Sequence, residues 1–537
     1  MSLAVYLVSA VFLWSLWRLF RTKYTKARTA AILVLGDIGR SPRIMYHAHS
    51  LAENNFETHL IGYGGSRPVP PLENHQHVHF HYLSEPPTFP KYMPFVMTGP
   101  IKVMHQIICI LFTLLVQVSE APEYILVQNP PSIPTLALAQ LVAKIRGSKL
   151  IVDWHNLGYS ILALKLGVRH PFVRIAKWLE MTFGRSAYAH LFVTQAMHDY
   201  LSREWGLRGH KRVLYDRPPR HFHRASDQEI HELFGQLHCA LCTQMSLHNF
   251  LPQHSSPHST PFTYTAPQIM PSTGHEVNAG VPLSHQVFAH RVEIATPSAT
   301  PTSQSATSQP PVSLPILRPD RPALLVSSTS WTPDEDFDIL LDALNMYDLR
   351  AQEYSEGVEQ GALPKVLVVV TGKGPLKDHY MEQVNRLQKD WRWVRCISLW
   401  LEPGDYPVLL GSADLGICLH ASSSAMDLPM KIVDMFGCGL PVCALDFSCI
   451  GELVKVGING LIFKDASQLA EQLEEFLVSF PNSARLQNLK SSLASSANAK
   501  LRGERNDQRA FDSQQWEWSS WDENWDRIMT PLMIQSN

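Results

Sequence analysis

This sequence lacks an excess of charge of either sign. Its 46 basic and 48 acidic side chains leave a formal net charge of -2, so no global field recruits nucleic acid. Cysteine is sparse, eight in 537 residues. Most thiols sit in apolar runs such as Leu415-Gly416-Ile417-Cys418-Leu419, where each behaves as a small buried hydrophobe. That usage excludes a disulfide framework and suits a reducing compartment. Acidic residues are absent before Asp37, and the stretch 239–319 carries no charge besides Glu276, Arg291, Glu293 and Arg318. Rich in Ser, Thr, Pro and His, that stretch buries too little apolar surface to offset its ordering entropy. It is expected to be a mostly disordered insertion. Cys239 and Cys242, preceded by His238, form a CxxC, but no second Cys/His pair stands at ligand spacing, so no metal site is expected there.

What is present begins at the N-terminus. Residues 2–20 are almost wholly apolar, about the 20 residues a bilayer-spanning helix needs. Arg18, Arg21, Lys23, Lys26 and Arg28 follow, and positive charge on that flank holds it in the cytosol. The leading charge and small-residue cleavage site of a signal peptide are lacking. A single-pass anchor over 1–20, with cytosolic catalytic domains, is therefore expected.

The remaining length exceeds one ordinary core and points to two domains. Apolar runs at 30–35, 59–62, 124–128, 150–153 and 190–194 alternate with helical periodicity at 43–53, 135–145, 171–183 and 195–205. The theme returns with strands at 323–327, 365–371, 394–399, 414–419, 441–445 and 461–463, and helices at 336–347, 375–387, 406–412, 429–436 and 466–478. This alternation predicts an α/β protein with two doubly wound, Rossmann-like parallel sheets, 29–224 and 320–480, facing a cleft. A helical tail, 481–537, follows. Ligands of such sheets bind beyond the carboxyl ends of the strands.

Those junctions carry the chemistry. After the first strand comes Gly36-Asp37-Ile38-Gly39-Arg40-Ser41-Pro42-Arg43; Gly36 and Gly39 permit a tight turn, and the next helix aims its amides at it. The spacing lacks the GxGxxG dinucleotide fingerprint. Asp37 projects a carboxylate there, or caps the helix. Asp153-Trp154-His155-Asn156 ends another strand, placing an imidazole where it can meet a sugar hydroxyl or a phosphate. In the second half, Thr371-Gly372-Lys373-Gly374 sets a cation in a glycine turn, and Ser327-Ser328-Thr329-Ser330 is a hydroxyl-rich cradle. Lys431 and Asp434 share one helical face; the lysine suits a diphosphate and the carboxylate suits ribose hydroxyls. Gly437 and Gly439 are expected to let that helix end approach the next strand. Asp334-Glu335-Asp336 contains a DxD of the kind that holds Mg²⁺ on a diphosphate, but N-capping and dipole complementarity explain it more cheaply. Mg²⁺ is thus the one cofactor candidate, and no other metal is implied. Residues 101–118 form either a core helix or a seat against lipid.

The runs Gly36–Arg43, Asp153–Asn156, Ser327–Thr332, Asp414–His420 and Asp427–Lys431 resemble those of the chitobiosyldiphosphodolichol β-mannosyltransferases. The resemblance spans nearly the whole chain outside the insertion. It implies a GT-B fold, GDP-mannose as donor, dolichyl-diphosphate-chitobiose as acceptor, inversion at the anomeric carbon, and the cytosolic face of the endoplasmic reticulum membrane. Other dolichol-pathway mannosyltransferases are the implied protein partners. Inversion needs a base for the acceptor hydroxyl, with Asp37 the first candidate and His155 the alternative. Ser328, Thr329, Gly372, Lys373, Gly374, Asp427, Lys431 and Asp434 fall on the donor side, and Gly36, Gly39 and Arg40 on the acceptor side. Related retaining transferases carry two glutamates eight apart; here Asp434 holds the second place and Met426 the first, with Asp427 beside it.

Overall fold

Two parallel sheets organise the protein in a computed structural model that describes residues 27–90, 92–93, 95–266, 314–333, 335–356, 362–421, 426–501 and 519–533. The anchor expected at 1–20 lies outside these residues. The first sheet has seven strands in the order β3-β2-β1-β4-β5-β6-β7. They run β1 Arg28–Asp37, β2 Phe56–Tyr63, β3 Val78–Leu83, β4 Tyr124–Asn129, β5 Lys149–Trp154, β6 Ser186–Phe192 and β7 Arg208–Val213. Alternate residues of β1 feed opposite faces: Ala30, Ile32 and Val34 join one core, Ala31 and Leu33 the other. Burial on both faces is why the strand reads as one continuous apolar run.

Helix Trp521–Met533, 13 residues near the C-terminus, closes the first face by packing Trp521, Trp525 and Met529 into its core. The expected tail is thus in part a wall of the first lobe. On the other face, helix Phe95–Phe112 continues into a π turn over Thr113–Gln117. Ile110, Leu114 and Val118 pack into the core there. Met97–Gln117 is long and apolar enough to cross a membrane.

The second sheet has six strands, order β12-β11-β10-β13-β14-β15: β10 Ala323–Ser328, β11 Val366–Thr371, β12 Val394–Leu399, β13 Leu415–Cys418, β14 Val442–Leu445 and β15 Gly460–Phe463. Every pairing in both sheets is parallel. Strand order reverses between β1 and β4 and again between β10 and β13, and such switch points open a crevice at the carboxyl ends. Both sheets lie in one compact unit, 1–225 with 322–537.

A second unit, Ser226–Arg321, contains the stretch 239–319 expected to be mostly disordered, of which 239–266 and 314–319 are described. Its flanks fold. Helix Asp227–Gln236 starts from a capping box of Ser226 and Glu229, and β8 Thr263–Ala266 pairs antiparallel with β9 Leu314–Leu317. Phe234 and Phe262 are buried with rings 4.2 Å apart. Enough aromatic surface sits in the flanks to form a local core, which the polar average of the stretch concealed. Residues 267–313 lie outside the described part.

Candidate active site

The turn after β5 is built around a buried carboxylate. Asp153 is fully buried, and Arg43 grips it with two bonds of 2.9 Å, Nε to Oδ2 and Nη2 to Oδ1. Arg43 Nη1 also donates to Asp216 Oδ1 at 2.7 Å and to the Leu214 carbonyl at 2.8 Å. His47 Nε2 lies 3.3 Å from Asp153 Oδ2, while Trp525 donates to His47 Nδ1 at 3.0 Å. Burial would raise the Asp153 pKa, but Arg43 and His155 outweigh it and hold the carboxyl well below the usual range. Burial pushes the His47 pKa down, so the ring stays neutral. From this fixed anion projects His155, whose Nε2 is 2.8 Å from Asp153 Oδ2 and whose side chain is 22% exposed. A buried carboxylate orienting a half-exposed imidazole is the arrangement of a general base and its orienter.

Asp37 is engaged differently. Oδ1 accepts from Gly39 N at 3.1 Å, and Oδ2 accepts from Ser66 N at 3.0 Å and Ser66 Oγ at 2.8 Å. Both oxygens tie the first turn to the 64–66 loop, which is the capping geometry. Gly39 is required because a Cβ there would stand 2.4 Å from the Ser66 carbonyl oxygen; at Gly36 a Cβ would make only an ordinary contact, 3.7 Å from Val34 Cγ2. Arg40 ends the 3₁₀ turn Ile38–Arg40 and is exposed.

In the second lobe the glycine turn and the hydroxyl turn press together. A Cβ on Gly372, whose φ is +133°, or on Gly374 would lie 1.8 Å from the carbonyl oxygen of Thr329 or Ser330 respectively. Trp331 Nε1 donates to the Gly372 carbonyl at 3.3 Å. Lys373 Nζ sits 3.6 Å over the centre of the Trp400 ring, a cation–π contact that fixes its position at the rim. Ser328 is buried against Tyr406, Oγ to OH 3.0 Å.

Glu335, the middle residue of the DxD run, was given no role in the sequence reading. It is buried, accepts from Ser330 N at 2.8 Å and from Thr329 Oγ1, and pairs with Lys431. Asp336 instead accepts from Asp338 N at 3.2 Å, at the start of helix Phe337–Glu356, and Asp334 lies outside the described residues. Among those described, the segment therefore offers no converging pair of carboxylates for Mg²⁺. Lys431 and Asp434 share the helix Met430–Gly437 as expected, but the lysine pairs with Glu335. Burial, then the nearby Asp216 charge, pushes the Asp434 carboxyl up to about 8. Gly437 approaches Pro218 and Phe222, where a Cβ would meet Pro218 Cβ at 2.7 Å, whereas Gly439 turns the chain at φ +62°. The expectation that both face the next strand is thus corrected: one packs on the interlobe linker and the other allows a left-handed turn.

The two sets meet across the cleft. Asn156 Nδ2 donates to Asp427 Oδ1 at 3.3 Å, and Thr194 Oγ1 donates to the Met426 carbonyl at 2.6 Å. Glu452 reaches from the second lobe to cap helix Gln195–Glu204, accepting from Gln195 N at 2.7 Å, Ala196 N at 2.8 Å and Tyr215 OH at 3.0 Å. The preference of helix N-termini for carboxylates explains that clamp. A lone glutamate after a strand gave no signal of it. Arg43 stood in a motif already singled out, but its burial was not visible there. These contacts join the turn after β5 to the segment that precedes helix Met430–Gly437.

Residues 39–215 match the glycosyl transferase 4-like domain and residues 322–479 the glycosyl transferases group 1 domain. A Mus musculus protein named chitobiosyldiphosphodolichol beta-mannosyltransferase is 38% identical over 99% of this chain and 95% of its own length. The Dictyostelium discoideum protein of that name is 37% identical over 85% and 86%. An Arabidopsis thaliana protein named UDP-glycosyltransferase TURAN is 41% identical over 87% and 92%. Among solved structures, Anabaena Alr3699/HepE in complex with UDP and glucose aligns with TM-score 0.51 and 14% identity over 89% of this chain and 100% of that one, a likeness of fold.

Proposed function

The chain belongs to the chitobiosyldiphosphodolichol β-mannosyltransferase family, and from that premise we propose that it moves mannose from GDP-mannose to dolichyl-diphosphate-chitobiose in a β-1,4 linkage with inversion. The observation that carries the reading is His155, held by a charge-fixed Asp153 and set beside Asn156, which reaches Asp427 of the donor lobe. His155 takes the proton of the acceptor hydroxyl as its oxygen bonds to the anomeric carbon and the bond from that carbon to the GDP oxygen breaks. The imidazolium formed is stabilised by Asp153. Lys431 and Lys373 counter the charge growing on the departing diphosphate, and amides of the Gly372–Gly374 turn add hydrogen bonds. Asp434 receives the donor ribose.

The acceptor's lipid places the protein at a membrane, for which we propose the cytosolic face of the endoplasmic reticulum. Helix Phe95–Phe112 exposes Met97, Ile101, Met104, Ile108 and Phe112 at helical spacing. Leu164, Val168, Phe172 and Trp178 of the same lobe are exposed too, and apolar surface of this extent needs a partner. Lipid and the dolichyl chain fit it, and other mannosyltransferases of the pathway would dock from that membrane.

Full-length protein in detergent, given labelled GDP-mannose and a phytanyl-diphosphate chitobiose, is expected to yield a labelled trisaccharide that β-mannosidase cleaves. A product that resists β-mannosidase would overturn the inversion. Preference for a UDP-sugar, as the Arabidopsis relative's name suggests for that protein, would overturn the donor.

A further inference from the structure

The unit Ser226–Arg321 holds a side-chain cluster that takes no part in sugar transfer. His238 and Cys242 stand at either end of the short helix His238–Cys242, four residues apart and so on one face. Cys242 Sγ is 3.7 Å from both ring nitrogens of His238. The chain then turns through Met245–Leu247 and brings back His254, whose ring centre is 5.3 Å from that of His238 at 89°. One ligand atom from each of the three residues lies within 4.8 Å of the others.

His254 supplies an independent observation. Its Nδ1 bonds the Pro252 carbonyl at 3.0 Å. A carbonyl only accepts, so Nδ1 carries the proton and Nε2 carries a lone pair. That Nε2 is buried with no hydrogen-bond partner, a costly state for an acceptor. A second hydrogen bond that fixes the tautomer while the other nitrogen points at a cation is how protein zinc ligands are held. Zn–S and Zn–N bonds at a tetrahedral angle separate sulfur and nitrogen by about 3.6 Å, against the 3.7 Å between Cys242 and His238.

We propose that His238, Cys242 and His254 form a zinc site. Thiolate and imidazole select Zn²⁺ over Mg²⁺, and binding releases the thiol proton of Cys242 to solvent. Three protein ligands leave a fourth position, which opens on a cavity of about 370 Å³ lined by His248, Asn249, Leu251 and Gln253. Water or a further side chain completes the tetrahedron there. The motif visible in the sequence, Cys239-x-x-Cys242, is not the one used: Cys239 is exposed and outside the cluster. The bound cation joins the helix to the 252–254 turn and stabilises this unit.

Full-length protein in detergent, stripped with a chelator, is titrated with Co²⁺ and then Zn²⁺. One equivalent of Co²⁺ is expected to give a thiolate charge-transfer band with intense tetrahedral visible bands, which Zn²⁺ abolishes. Cys242→Ser should remove the charge-transfer band, His254→Ala should weaken binding by about tenfold or more, and Cys239→Ser should leave both unchanged. Absence of the band from the unmodified protein, or weak octahedral bands alone, would overturn the proposal. So would a band that survives Cys242→Ser or disappears in Cys239→Ser. The titration of the unmodified chain decides even where a variant fails to fold.

Discussion

At the end of β5 the first lobe buries Asp153 between Arg43, His47 and His155. At the ends of β10 and β11 the second lobe presses Gly372 and Gly374 against the carbonyls of Thr329 and Ser330. One strand end is thus fixed by charge and the other by shape. A charge-fixed site suits a group that must accept a proton and hold the resulting cation. A shape-fixed site suits a diphosphate, which asks for close backbone amides and no side chain in the way.

The comparison breaks most sharply at His155. His155→Ala should lower kcat on the order of 10²- to 10⁴-fold, measured as trisaccharide formed at saturating GDP-mannose. Asp37→Ala should leave kcat near its starting value, because both carboxylate oxygens are spent on the 64–66 loop. A large loss in Asp37→Ala with activity kept in His155→Ala would move the base to the first turn.

Asp153→Ala attacks the charged end itself. It strands Arg43 in the core with only Asp216 to answer it, and should cost about 3–5 kcal/mol of stability, read from urea unfolding. Gly374→Ala attacks the shaped end. Its Cβ collides with backbone that cannot turn aside, which should cost about 1–3 kcal/mol and weaken GDP binding in calorimetry without changing the acceptor KM.

A further effect is a pH slope. The folded Asp434 carboxyl is raised to about 8 from the ordinary 3.8, so between those values the folded state holds a proton that the unfolded chain has lost. Stability attributable to this group is fully present below about pH 4 and falls as pH rises toward about 8. Asp434→Asn should flatten that slope, with little gain near pH 5 and a measurable gain near pH 9 in denaturant midpoints. A bound donor that hydrogen-bonds the ionised form should also flatten it.

Much of the fold was legible. Strands 30–35, 124–128 and 394–399 were placed within two residues of Arg28–Asp37, Tyr124–Asn129 and Val394–Leu399, because strands buried on both faces are uninterrupted apolar runs. Val78–Leu83 and Arg208–Val213 were missed. They are the edge strands of the first sheet; one interleaves histidines and the other is largely charged and exposed, as edges that discourage further pairing are. Glu335 and Glu452 were missed for another reason. Their partners Lys431 and Gln195 lie 96 and 257 residues away, and no local pattern encodes such a meeting.

Sequence by itself determined the two doubly wound lobes, the strand-to-helix turns and the family, because period and turn chemistry are local and the motif runs are long. Tertiary structure decided what each turn residue meets: Asp37 and His155 look alike as polar residues at a strand's end. One meets a loop of donors and the other a buried anion, and only packing across 110 residues, Arg43 to Asp153, makes that difference. It likewise brought His238, Cys242 and His254 together, a meeting that the spacing of residues along the chain does not encode.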